Sequence, residues 1–214
     1  IVSIFIIIIL AFILSLIFEK SFNLKEFFQS SIFLPVILTM VSIAVVWQFM
    51  FQSTGILSNL FLELFGVKIK WLTSTKIAPY SMILVNIWKM TGYYMIIFIA
   101  GLLSVPNTFY EAARVDGANY FQRLFYITLP QMKNTFILVF VSGVIFSFAS
   151  FPQQYVMTEG GPGRSTEVLA VLIYKQAFEF TKFGYSSAIS VAFFVSLLFF
   201  SIIQLKIFKS ESNV

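Results

Sequence analysis

The sequence predicts an all-α fold, a polytopic bundle of membrane-spanning helices, and three observations predict it. Of the 214 residues, 59% are hydrophobic and 11% charged, against roughly 45–50% and 25% in an ordinary soluble domain. Several apolar runs approach or exceed the ~20 residues that cross a ~30 Å hydrocarbon core as a helix, and short polar stretches separate them. The 28 Phe residues sit inside these runs among Ile and Leu. They do not form the alternating ten-residue segments of an outer-membrane barrel.

In chain order, five runs are expected to span: residues 1–18, 31–51, 79–103, 130–151 and 185–206. Five crossings put the two ends of the chain on opposite sides. The chain opens at Ile1 inside an apolar run, with no initiating Met, basic flank or small-residue cleavage site, so it is expected to lack its natural beginning. Residues 51–78 hold Gly55, Gly66, Trp71, Thr73, Ser74 and three Lys. That is too polar to span, yet rich enough in Leu and Phe for an interfacial loop with one short helix. Over residues 167–182, Leu169, Leu172, Ile173 and Phe180 fall on one helical stripe, with Glu167, Lys175, Glu179 and Lys182 opposite. This predicts an interfacial helix and not a sixth crossing. No linker or internal repeat divides the chain, so residues 1–214 are read as one transmembrane domain.

Composition also excludes chemistry. With no Cys and no His, thiolate metal sites, disulfides and the usual general base are all missing, and no nucleophile–base pair can be assembled. The +5 formal charge is spread along the loops, unlike the clustered basic face of a nucleic-acid binder. Orientation does not follow from charge. One side would carry Lys20, Lys25, Arg114, Arg123, Lys133, Lys206 and Lys209, and the other Lys68, Lys70, Lys76, Arg164, Lys175 and Lys182.

The most specific signal lies between the third and fourth spans: Glu111-Ala112-Ala113, three residues, Gly117, nine residues, then Ile127-Thr128-Leu129-Pro130. Thr108 and Glu111 have capping-box spacing for a short helix starting at Thr108. Gly117 can end that helix in a left-handed conformation. A second short helix over 119–126 would bring Phe121, Leu124 and Phe125 together, and Pro130 suits the first turn of the next membrane helix. Small Ala residues would let a partner approach closely, while Glu111, Arg114, Asp116 and Arg123 offer it charges. The plainer alternative is a loop that only returns the chain to the membrane.

The full pattern resembles the signature of permease subunits of binding-protein-dependent ATP-binding-cassette importers. Trp88-Lys89, the stretch Tyr155-Val156-Met157-Thr158-Glu159-Gly160-Gly161-Pro162 and Phe183-Gly184-Tyr185 resemble the carbohydrate-uptake branch, so that the likeness covers roughly residues 47–206. It implies a type I importer permease bundle in the bacterial cytoplasmic membrane. The family usually has a six-helix core preceded or opened by one more helix, so the resemblance implies that an amino-terminal crossing is missing here. Residues 105–129 become the cytoplasmic loop that docks into the ATPase, through Glu111, Ala112, Ala113, Arg114, Asp116 and Gly117. Ile1 then lies outside and Val214 inside. The implied partners are a second, homologous permease subunit, two ATPase subunits, an extracellular or periplasmic solute-binding protein and a sugar or oligosaccharide. The chain would carry no cofactor and would not be an enzyme, because ATP and Mg belong to the ATPase. Glycerol phosphate, a polyamine or an oxyanion are the alternative solutes, although anion carriage would call for more intramembrane cations than Lys89. A stand-alone channel or secondary transporter would not need the docking loop.

Two further sites are weighed. The stretch Gly160-Gly161-Pro162-Gly163-Arg164-Ser165-Thr166 fails as a phosphate loop, because Thr158 stands where the first Gly should and Arg164 where the Lys should. It is read as an extracellular turn. A solute path is expected between the third and fourth spans. Asn86, Lys89 and Tyr93 would come from one, and Gly143, Phe146, Ser147 and Ser150 from a single face of the other. Aromatic rings suit the C–H face of a sugar, and hydroxyl and amide groups suit its hydroxyls. Lys89 has the alternative of snorkelling to the outer surface. Gly143 and the serines have the alternative of simply letting helices pack closely.

Overall fold

The computed structural model describes residues 2–19, 23–148 and 150–210, and among them every regular element is helical. Twelve α-helices run in the order α1 (Val2–Glu19), α2 (Lys25–Ile37), α3 (Met40–Phe51), α4 (Ile56–Phe65), α5 (Ala78–Leu103), α6 (Asn107–Val115), α7 (Tyr120–Arg123), α8 (Leu129–Gln131), α9 (Lys133–Phe148), α10 (Pro152–Thr158), α11 (Leu169–Tyr174) and α12 (Phe183–Ser210). Wider π-helical turns follow α7 at Leu124–Thr128 and α11 at Lys175–Glu179.

Among the described residues, four stretches are long and apolar enough to cross a membrane: Val2–Glu19, Met40–Phe65, Ala78–Leu103 and Phe183–Gln204. Tyr120–Gln131 with Lys133–Phe148, bent by 62°, makes a fifth if the pair is one span. The first, third and last agree with the sequence expectation. The second does not. In place of one helix over 31–51, α2 stops at Ile37 and α3 starts at Met40, and the apolar stretch extends to Phe65 with an interruption between α3 and α4. The break has a local cause: Thr39 is extended and its hydroxyl accepts the Ser42 N–H at 3.2 Å, capping α3. The short helix expected within 51–78 is α4. Gly66 at φ +67° ends it.

The fourth span also differs. Pro130 does sit in a first helical turn, that of three-residue α8, but Met132 interrupts and α9 begins only at Lys133. At the far end α9 stops at Phe148 and Pro152 opens α10; Pro152 has no N–H to bond the Phe148 carbonyl four residues back, and its ring would clash with that carbonyl in a continuing helix. The expected interfacial helix over 167–182 is shorter and faces differently. It consists of α11 and its π-helical turn, and it buries Val171 and Ala177 while Leu169 and Phe180 are exposed. The π-helical turn shifts the helical phase after Tyr174, so Phe180 does not continue the stripe of Leu169, Leu172 and Ile173.

The packing divides into two compact units, each drawn from separated stretches: residues 1–37 with 87–144, and residues 38–86 with 145–214. In the first, Ile7, Ala11 and Phe18 of α1 pack with Met95, Phe98 and Leu102 of α5 and Val139 of α9. Phe12, Phe98 and Phe136 join them with ring centroids 4.8–5.5 Å apart. In the second, Ile43, Ala44 and Phe51 of α3 pack with Met82, Val85 and Met157, and Trp71 stacks on Phe51 at 5.2 Å. α12 buries only 6% of its apolar stretch, leaving rings such as Phe194 and Phe199 exposed.

Candidate functional site

The loop between α5 and α9 is built in layers. Val105 is buried in the first unit's core and fixes the start. Pro106, with φ −60° and ψ 132°, is the N-cap of α6. The expected Thr108–Glu111 capping box therefore does not form. α6 begins one residue earlier, at Asn107, so Thr108 lies inside the first turn, while an N-cap needs non-helical backbone. The end of α6 agrees with expectation. Gly117 has φ +77°, Gly117 N–H reaches Arg114 O at 3.1 Å and Ala118 N–H reaches Ala113 O at 2.8 Å. This pair of bonds is the Schellman motif that a left-handed glycine allows.

The capping box of this loop lies one helix later, where the sequence reading missed it. Asn119 Oδ1 accepts the Gln122 N–H at 2.9 Å, and Gln122 Oε1 accepts the Asn119 N–H at 2.7 Å. The Asn-x-x-Gln spacing was the available signal. The second short helix is α7 followed by the π-helical turn and not a regular helix over 119–126. Arg123 donates through Nη1 to Ala118 O at 2.9 Å, and the Tyr110 and Thr128 hydroxyls lie 3.0 Å apart. The second of these contacts braces the outgoing limb against the returning one, and the first closes the opening turn of the returning limb.

The outcome is a hydrogen-bonded pair of short helices with an exposed outer face. α6 has no buried residue. Glu111, Ala112, Arg114, Asp116 and Gly117 are exposed and Ala113 half-buried, while Val115, Phe121 and Tyr126 are 88%, 67% and 79% exposed. A cavity of about 310 Å³ opens beside Asp116, Gly117, Gln122 and Tyr126. Charges, small residues and bare apolar groups together suit a protein partner better than water alone.

The expected solute-path residues fall into two sets. In the first unit, Tyr93 is half-buried and edge-on to Tyr94 at 5.1 Å. Gly143 is buried, and a Cβ there would lie 3.2 Å from Ile4 Cγ2 and 3.3 Å from Tyr94 Oη. Lys89 is half-buried and donates through Nζ to Pro35 O at 3.0 Å and Val36 O at 3.4 Å, the two carbonyls near the end of α2. In the second unit, Asn86 and Ser147 are half-buried and Phe146 is 50% exposed. Ser150 lies beyond the end of α9 and donates to Gln154 Oε1 at 2.8 Å. The single helical face expected for 143, 146, 147 and 150 therefore loses its last member, for the same reason that α9 ends early. Sequence reading also missed Gln153, which is 1% exposed and donates through Nε2 to Met82 O at 2.7 Å. A lone Gln beside a Pro carries no pattern that marks it as buried. Among the described residues no cluster of acidic side chains could hold a metal ion.

Residues 3–210 match the family described as the binding-protein-dependent transport system inner membrane component. The probable ABC transporter permease protein YurN of Bacillus subtilis is 36% identical over 190 residues, covering 87% of this chain and 65% of its own length. The trehalose/maltose transport system permease protein MalF of Thermococcus litoralis is 34% identical over 162 residues, covering 75% and 55%. This chain thus spans somewhat less than two thirds of these curated relatives. A solved bacterial alginate ABC transporter, in complex with an alginate pentasaccharide-bound periplasmic protein, has the same fold at TM-score 0.81 and 21% identity. The match covers 95% of this chain and 72% of that one.

Proposed function

We propose, from the premise that this chain belongs to the family of binding-protein-dependent transport system inner membrane components, that it is one permease subunit of an ATP-driven importer of a sugar or oligosaccharide. It sits in the bacterial cytoplasmic membrane beside a second permease subunit, two ATPase subunits and an extracellular or periplasmic solute-binding protein. A relative named for trehalose and maltose supports the solute class, and a structural neighbour complexed with a periplasmic protein carrying an oligosaccharide is in keeping with the partner.

The observation that carries the reading is the braced, outward-facing loop at 105–129. A loop that merely returned the chain would not need a Schellman stop, a reciprocal cap and a cross-limb hydrogen bond between Tyr110 and Thr128 beneath a surface of exposed Val115, Phe121 and Tyr126. In this reading Glu111, Ala112, Ala113, Arg114, Asp116 and Gly117 meet the ATPase, where ATP and Mg are bound. Closure of the ATPase dimer moves the loop, and through it the membrane helices, in alternating access. The solute passes along α5 and α9, where Asn86, Lys89 and Tyr93, and Gly143, Phe146 and Ser147, are the residues assigned to the path, with Ser150 just beyond.

The test is purification of the tagged chain from its native membrane. An ATP-binding-cassette ATPase should come with it and be lost from the Glu111→Arg, Gly117→Val double variant. The recovered complex with its binding protein, in proteoliposomes, should accumulate radiolabelled maltose-type oligosaccharide only with ATP. Recovery of the chain without an ATPase would overturn the importer reading, and accumulation of glycerol phosphate instead of sugar would overturn the solute class.

A further inference from the structure

We infer that Lys89 is an intramembrane helix cap: its ammonium closes the broken carboxyl end of α2 and fixes α2 to α5. The last four carbonyls of a helix have no partner inside it, and within a bilayer water is not there to serve them. α2 ends at Ile37, so Pro35 and Val36 own two of those four carbonyls, and these are the ones Lys89 Nζ reaches at 3.0 and 3.4 Å. The lysine has the matching need. It lies eleven residues past Ala78, ~16 Å along the helix axis, where a charge is tolerated only with partners such as backbone carbonyls. The partial negative charge of a helix C-terminus adds attraction for a cation.

A second observation, independent of the amine, points to the same junction. One turn along α5, Gly92 is buried; a Cβ there would overlap the Ile32 carbonyl oxygen and come 2.9 Å from its carbon and 3.1 Å from Phe33 Cα. The α2 backbone therefore lies directly on α5 at Gly92, the close approach that small residues allow between membrane helices. The two contacts share one register. Going from Gly92 back to Lys89 on α5 corresponds to going from Ile32 forward to Pro35 and Val36 on α2, so the helices run antiparallel and are pinned at two points a turn apart. Both contacts lie within one compact unit. Unwound backbone and half-helix ends in some transporters hold a sodium ion; here a tethered ammonium takes the corresponding place. Lys89 is thus a positioning residue acting through α2, whichever solute is carried.

Hydrogen–deuterium exchange on the purified full chain in detergent tests this. Lys89→Met should speed exchange in peptides covering residues 32–42 by about 5- to 30-fold, the range for losing a cation at a partly buried helix C-terminus. Peptides over 107–128 should keep their rates. Lys89→Arg, which retains charge and donors, should restore slow exchange, and Gly92→Leu should speed it in the same peptides with Lys89 intact. The assignment is overturned by unchanged exchange at 32–42 in Lys89→Met, by Lys89→Arg exchanging like Lys89→Met, or by a uniform rise over the whole chain, since a cap acts on its own helix.

Discussion

At the scale of single residues, three glycines illustrate how far sequence reasoning reaches. Gly117 was legible, because a short amphipathic helix that must stop and turn calls for a left-handed residue, and it has φ +77°. Gly143 and Gly92 were not. A glycine inside an apolar run is equally consistent with a widened path or with close packing, and only the neighbours decide. At Gly143 they are Ile4 and Tyr94, and at Gly92 the backbone of α2. The same comparison yields a prediction. Nothing lies within 4 Å of a Cβ built on Gly117, so Gly117→Val adds backbone strain of about 1–2 kcal/mol without a clash. The variant chain should still insert, while stimulation of ATP hydrolysis by loaded binding protein falls by about 2- to 30-fold, the span for residues that modulate coupling by 0.5–2 kcal/mol. An ATPase assay on the reconstituted complex reads this directly, and full stimulation would remove Gly117 from the lever.

At the scale of elements, length and apolarity located most spans, but the interruptions depend on features that hydropathy averages away. The α2–α3 break turns on one threonine side chain meeting the Ser42 N–H. The early end of α9 turns on Pro152 acting four residues upstream of itself, and the displacement of Phe180 from the stripe of Leu169, Leu172 and Ile173 on one extra residue in a π-helical turn. A proline and a Thr-x-x-Ser pair were visible in the sequence; their victory over an uninterrupted apolar run was not. Function follows these details, because they decide which side chains share a face. Tyr93 is in the middle of unbroken α5, and Phe146 is near the end of α9 and 50% exposed. If both line the path, Tyr93→Ala and Phe146→Ala should each cut oligosaccharide uptake while leaving assembly and binding-protein-stimulated ATP hydrolysis in place. Loss of assembly in either single variant would mean that the ring packs helices and does not guide solute. A different outcome is expected for Gln153→Ala in the second unit. It abandons a buried hydrogen bond to Met82 O and should lower stability by about 1–3 kcal/mol, seen as a drop in melting temperature in detergent.

At the scale of the whole molecule, the proposed division of labour leaves nucleotide to the ATPase, and it predicts that the purified chain alone, whose sequence carries no phosphate-cradling motif, binds no ATP. Nucleotide binding by equilibrium dialysis should emerge only when the ATPase is added. The remaining global property is orientation, which seven cations against six could not settle and which now rests on the loop at 105–129. The structure offers a direct way to examine it. The sequence contains no Cys, so every introduced cysteine is the only thiol present, and exposed positions exist in each connection. Leu24 is 69% exposed after α1, Val67 is 55% exposed after α4, and Val115 is 88% exposed at the tip of α6. Arg164 is exposed beyond α10. With five crossings and the 105–129 loop in the cytoplasm, Leu24→Cys and Val115→Cys should react with a membrane-impermeant maleimide only in inside-out vesicles, and Val67→Cys and Arg164→Cys only in right-side-out ones. The Val115 and Arg164 pair carries the most information, since α9 is the one apolar helix between them. At 16 residues it spans only ~24 Å, short of a ~30 Å hydrocarbon core. Labelling of Val115 and Arg164 from the same face would mean that α9 turns back within the membrane, and that the loop read here as cytoplasmic shares its side with the Gly160–Arg164 turn.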